Sequence, residues 1–136
     1  MAELYDVMST LRAVRKLRPD PIPDDVLERV LQAACWAPTG GNTQPWRVVV
    51  VTGDEPKRAL QEIYAPEWER YSTGFMRMMS GLPATELAKW ERIIAAGDHL
   101  ADNLAHVPAI LMFCANPSMM AITDAKLDRV SMVGGG

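Results

Sequence analysis

The sequence predicts an α+β fold in which two short apolar strands sit among about four helices. Three observations predict it. Trp46 to Thr52 carries four consecutive valines without a polar interruption, the pattern of a strand buried on both faces. Ala109-Ile110-Leu111-Met112-Phe113-Cys114-Ala115 is a second run of the same kind, closed by Asn116-Pro117. Elsewhere the apolar residues recur at helical spacing. A chain of 136 residues, 49% hydrophobic and 23% charged, has the length and composition of one globular domain with a core.

Leu4, Val7, Met8 and Leu11 make residues 3–12 an amphipathic helix. Its end carries Arg12 and Arg15, with Lys16 and Arg18 close by. If the helical turn continues through them, Arg12 and Arg15 share a face. Two guanidiniums on one face grip a phosphate through charge-assisted, bidentate bonds. A solvated basic helix end that only complements the dipole has the same composition.

Arg18-Pro19-Asp20-Pro21-Ile22-Pro23 is an extended connector, because prolines at alternate positions forbid helix and central strand. Asp24 and Asp25 open the next helix, with Val26, Leu27, Val30, Leu31 and Ala34 as its apolar stripe. Pro38 helps to end it.

Ala37-Pro38-Thr39-Gly40-Gly41-Asn42-Thr43-Gln44-Pro45-Trp46 follows. Prolines near both ends fix φ there, and the adjacent glycines admit backbone shapes other residues resist. Thr39, Asn42, Thr43 and Gln44 supply uncharged donors and acceptors. Such a loop suits the edge of a flat polar heterocycle, although Gly, Asn and Pro also make ordinary surface turns.

Past Gly53-Asp54, Glu55-Pro56 starts a short helix with Leu60 and Ile63 inward. Residues 65–82 hold Trp68, Tyr71, Phe75, Met76, Met78 and Met79, interrupted by Gly74 and Gly81 and followed by Pro83. They suit irregular core packing better than the lining of a substrate pocket. Residues 84–105 form a long helix bent at Gly97, with Leu87, Trp90, Ile94, Leu100 and Leu104 apolar. His99 and His106 lack partners at metal-ligand spacing and belong to the surface or a helix end. Cys35 and Cys114 sit in apolar contexts and are expected to be reduced core residues. The chain leaves on Gly134-Gly135-Gly136 with no helix to cover the second strand, so a fragment, or a core completed by a partner, is expected.

Composition also excludes. A net charge of −3 and a pI of about 5.3 argue against general nucleic-acid binding. The apolar runs are too short to span a bilayer. The acidic amino end lacks the features of a signal peptide, which points to the cytoplasm. No metal-ligand set, catalytic nucleophile cluster, G-x-G-x-x-G or phosphate P-loop is found.

The order of motifs resembles the N-terminal part of the nitroreductase family of flavoenzymes. Arg12-Ala13-Val14-Arg15 comes first, then Pro19-Asp20-Pro21-Ile22-Pro23 and a helix. Ala37-Pro38-Thr39-Gly40-Gly41-Asn42 and Gln44-Pro45-Trp46 follow, running into the valine strand. The resemblance is close over residues 3–52 and loose over 84–115. It implies a homodimer with a mixed β-sheet flanked by helices, and one FMN at each end of the subunit interface. Arg12 and Arg15 would hold the FMN phosphate, with Ala13 standing where the family often has serine. Pro38, Thr39, Gly40 and Asn42 would lie against the isoalloxazine ring from the opposite subunit, with Gln44 supporting them and Trp46 packing at the strand start. The implied reaction is a hydride relay from NAD(P)H to a nitroaromatic, quinone or similar acceptor, with no catalytic side chain. Reductive dehalogenation, dehydrogenation and flavin fragmentation are related alternatives, as is a truncated, non-catalytic flavin-binding or dimerisation module. The family's chain continues well beyond the equivalent of Gly136, so residues 1–136 form a single, incomplete flavin-binding domain on this reading.

Overall fold

A computed structural model describes residues 3–116. In chain order it has helices α1 (Leu4–Thr10) and α2 (Asp24–Cys35), a 3-10 turn (Gly40–Asn42) and strand β1 (Trp46–Val51). Helices α3 (Asp54–Met79) and α4 (Ala84–Asn103), a second 3-10 turn (Leu104–His106) and strand β2 (Ile110–Ala115) follow. Four helices and two strands fit the expected α+β class. The glycine-rich end lies outside the described residues. The elements fall into two compact units. One contains the residues up to Pro19 and Gly53–Val107; the other contains Asp20–Thr52 and the segment from Pro108 on.

The first unit is built on an antiparallel helical hairpin, α3 and α4, joined by a turn of four residues, 80–83. Its cross-contacts run in strict reverse order. Lys57 Nζ donates to the Val107 carbonyl (3.0 Å) and Gln61 Nε2 to the Asp102 carbonyl (2.9 Å). Gln61 Oε1 accepts from the Ala105 amide (2.7 Å), and Trp68 Nε1 donates to Asp98 Oδ1 (2.7 Å). Phe75 meets Trp90 edge-on with ring centroids 5.2 Å apart. Gly97 is buried where the Trp68 ring crosses α4. Gly97 thus forms a packing notch for that ring. Ala101 and Val107 are the buried hydrophobic residues among those described.

The expected short helix and irregular segment are one helix of 26 residues. Asp54 and Glu55 match its dipole, and Pro56 falls in the first turn, where its missing N–H leaves no intrahelical bond unmade. Pro66 lies inside the helix, and Gly74 sits in it at a propensity cost of about 1 kcal/mol. Tyr64, Trp68, Tyr71 and Phe75, at spacings of four and three, form a continuous ring row with centroids 5.5–6.4 Å apart. That row offsets both breakers; the aromatics stack along a regular helix, with Tyr71 57% exposed, rather than filling an irregular core.

Helix α1 stops at Thr10 because Leu11 turns to φ −57°, ψ 131°. Residues 11–19 are not helical. The expected helical face shared by Arg12 and Arg15 is therefore absent, and a spacing of three no longer aligns them.

In the second unit β1 and β2 pair antiparallel, from Trp46 opposite Ala115 to Val51 opposite Ile110. Both strands are where the apolar runs place them, but burial on both faces is not observed. Val49 is 48% exposed and Phe113 65% exposed. Among the described residues no helix of this unit packs broadly over the sheet, so one face of β1 is half-buried and the other is open. Cys35 and Cys114 are free and exposed rather than in a core, for the same reason. Helix α2 starts as expected at Asp24-Asp25 and ends at Cys35.

Candidate functional site

The segment between α2 and β1 is built from its own side chains. The Gln44 amide N–H and Nε2 both donate to Thr39 Oγ1 at 3.1 Å, and Nε2 also donates to Asn42 Oδ1 at 2.8 Å. The Asn42 amide donates to the Thr39 carbonyl at 2.9 Å, and Thr43 Oγ1 donates to the Gly40 carbonyl at 3.1 Å. Three residues take left-handed backbone: Gly41 (φ 59°), Asn42 (φ 52°) and Gln44 (φ 48°). Glycine does so freely and asparagine at little cost, but glutamine is strained by on the order of 1–3 kcal/mol. The hydrogen bonds converging on Thr39 and Asn42 hold that strain in place.

Closing inward leaves functional groups facing out. Asn42 Nδ2 and Gln44 Oε1 have no partner among the described residues, so one donor and one acceptor remain for a ligand. Gly40 has open space above its Cα, since a Cβ there would meet nothing within 4 Å. Pro38 and Gly40 are exposed and Thr39 is half-buried. A flat ring can approach the main chain at Gly40 while the two amides address its edge. The loop thus fits a polar heterocycle.

The arginines, in the first unit, divide. Arg12 is exposed, and its Nη1 turns back to the Ser9 carbonyl (3.0 Å) and the Leu11 carbonyl (2.6 Å) at the end of α1. Three of its five N–H donors have no partner among the described residues. Ala13 is exposed and offers no side-chain polar group. Arg15 is half-buried and lines a cleft of about 410 Å³ with Leu17, Pro19, His99, Leu100, Asn103, His106 and Val107. Neither Arg12 nor Arg15 forms an ion pair among the described residues. A half-buried guanidinium without a carboxylate fits an anion.

His99, Asn103 and His106 were assigned no function from the sequence. The spacing of four between His99 and Asn103 was the available signal, because it places those two on one face of α4; His106 follows in the 3-10 turn, beyond that face. Trp46 Nε1, at the start of β1, is a buried donor without a partner among the described residues. Among the described residues no three or more His, Cys, Asp or Glu side chains are placed to hold a metal ion. Nor is any helix among them long and apolar enough to cross a membrane.

Known proteins are similar to this chain in sequence. The chain is 34% identical over 87 residues to iodotyrosine deiodinase 1 of Rattus norvegicus, covering 64% of this chain and 30% of that protein. It is 49% identical over 51 residues to an NADH dehydrogenase of Thermus thermophilus, covering 38% of this chain and 25% of that protein. The chain thus spans less than a third of the length of these curated relatives. A crystal structure of a BluB-like flavoprotein from Clostridium difficile 630 aligns with 83% of this chain and 48% of its own at a TM-score of 0.49 and 20% identity. The Nitroreductase family model matches residues 10–133, nearly the whole sequence, and the chain belongs to the nitroreductase family.

Proposed function

We propose that this chain is the flavin-binding portion of an FMN-dependent oxidoreductase, part of a single domain that works as a homodimer. The observation that carries this reading is the Thr39–Gln44 loop, which ties up its inner polar groups and leaves Asn42 Nδ2 and Gln44 Oε1 outward beside the bare Gly40. When bound, FMN supplies reversible hydride acceptance, taking from NADH or NADPH and giving to a nitroaromatic, quinone or similar acceptor.

The chain's own residues bind and orient. Arg15, with the free donors of Arg12, takes the phosphate, and Ala13 adds no hydroxyl to it. Pro38, Thr39, Gly40, Asn42 and Gln44 face the ring system of the flavin held by the other protomer. The exposed apolar residues of α1, namely Leu4 (69%), Met8 (66%) and Leu11 (73%), favour a second copy of the chain over solvent. Two free, exposed thiols suit the reducing cytoplasm. A second reading keeps the flavin and changes the acceptor. The identity shared with iodotyrosine deiodinase 1 over 87 residues favours reductive dehalogenation.

The test is direct. Purified protein should bind FMN with a shifted flavin spectrum. Replacing Arg12 and Arg15 together by alanine should weaken binding by a few kcal/mol, about a hundredfold. Failure of the protein to take up added FMN, or unchanged affinity in the double variant, overturns the assignment. Turnover of a nitroaromatic against a haloaromatic with either nicotinamide separates the two acceptors.

A further inference from the structure

The cleft beside Arg15 has an unusual lining. One guanidinium and two imidazoles border it, the floor is Leu17, Leu100 and Val107, and no carboxylate takes part. The side chains of Arg15, His99 and His106 have no hydrogen-bond or ion-pair partner among the described residues. Asp20, which follows the lining residue Pro19 in sequence, has a partner of its own. Asp98 Oδ1 accepts from Trp68 Nε1, and the exposed Asp102 is absent from the lining.

The end of a helix normally repels an anion, because its last carbonyls are unpaired and negative. Here one of those carbonyls, that of Asp102, is covered by Gln61 Nε2 (2.9 Å), and one turn earlier Asn103 Nδ2 turns back to the His99 carbonyl (2.8 Å). The cleft then offers the Arg15 guanidinium and the His99 and His106 imidazoles beside the apolar Leu17, Leu100 and Val107. A neutral imidazole donates one hydrogen bond and a protonated one donates two, so either state serves an anion.

We infer that His99 and His106 join Arg15 in a seat for a phosphate monoester at the end of α4. The proposal rests on the flavin reading for the identity of the ligand, which would be the FMN phosphate. It assigns to that phosphate two histidines that the arginine motif does not contain. Three donor groups from two chain segments recognise a tetrahedral dianion better than one arginine does, and the apolar floor limits competition from water.

Comparing FMN with riboflavin isolates the phosphate. In the full chain, His99→Ala and His106→Ala should each lower FMN affinity about five- to tenfold, the effect of one charge-assisted hydrogen bond, with riboflavin affinity unchanged. His106 is exposed, so its variant tests the seat without disturbing the fold. If Arg15→Ala loses FMN affinity while both histidine variants bind FMN like the parent, the histidine assignment fails and the flavin reading stands. If the parent protein binds no flavin, the flavin reading fails, and titration with inorganic phosphate decides the seat by nuclear magnetic resonance. Saturable movement of both imidazole signals supports it; static signals overturn it.

Discussion

Replacing Gly97 by alanine sets two known effects against each other. In a helix interior, Gly→Ala gains about 1 kcal/mol from propensity. At this position the added Cβ would lie 1.9 Å from Trp68 Cζ2, 2.4 Å from Cη2 and 2.7 Å from Cε2. Ordinary contact begins near 3.4 Å, so the indole must retreat by about 1.5 Å. It is not free to do so. Its Nε1 is bonded to Asp98 at 2.7 Å, and its ring packs on Tyr64 and Tyr71 at 6.4 and 5.5 Å. Overpacking of this kind costs about 1–3 kcal/mol, and loosening the Asp98 bond adds about 1 kcal/mol. The expected net loss is about 2 kcal/mol, read as a lower urea midpoint at unchanged slope. The same substitution in a Trp68→Leu background should instead stabilise by about 1 kcal/mol, since the obstacle is gone and the propensity gain remains. A rise in midpoint for Gly97→Ala alone, or the same loss in both backgrounds, refutes the notch.

Two other substitutions probe the units separately. Lys57 is 6% exposed and holds the Val107 carbonyl, while its ion-pair partner Asp54 is 84% exposed at 3.2 Å. Lys57→Met should therefore cost about 1–3 kcal/mol by leaving that carbonyl unpaired, and Asp54→Asn under about 1 kcal/mol; equal losses in thermal melts would contradict this. At Asn42 (φ 52°), alanine and glycine both remove the bond to Gln44, but only alanine suffers in left-handed backbone. The glycine variant should be the more stable by about 1 kcal/mol in urea unfolding, and equal stabilities would show that the backbone there is not under strain.

The strands, the start of α2 and the course of α4 were legible because each rests on a local pattern. Runs of β-branched residues, paired aspartates at a helix start and apolar residues at helical spacing keep their meaning in almost any tertiary setting. Helix α3 was not legible, because Pro66 and Gly74 are breakers by local rules. Their cost is offset by a ring row whose members become neighbours only once the helix exists. The burial of β1, β2 and the two cysteines was misjudged for the opposite reason. An apolar run reports what a strand can bury, while exposure depends on which layers cover it, and among the described residues those layers are thin.

The site divides along the same line. The polar residues of the loop could be counted from the sequence, but not the left-handed turn at Gln44 that directs its Nε2 onto Thr39 and Asn42 and its Oε1 outward. The arginine spacing was visible too, yet it misled, because it carried a helical geometry past Leu11, where the helix had ended. Arg15 has its setting through residues more than eighty positions away, His99 and His106. Those histidines have no Cys, Asp or Glu at metal-ligand spacing, so the sequence places them at the surface or a helix end. The spacing does not show what becomes of the flanking acids: Asp98 accepts from Trp68 Nε1 and Asp102 is absent from the cleft lining. A guanidinium and two imidazoles lining one cleft without a carboxylate indicate the charge of what would bind, and that arrangement exists only in three dimensions.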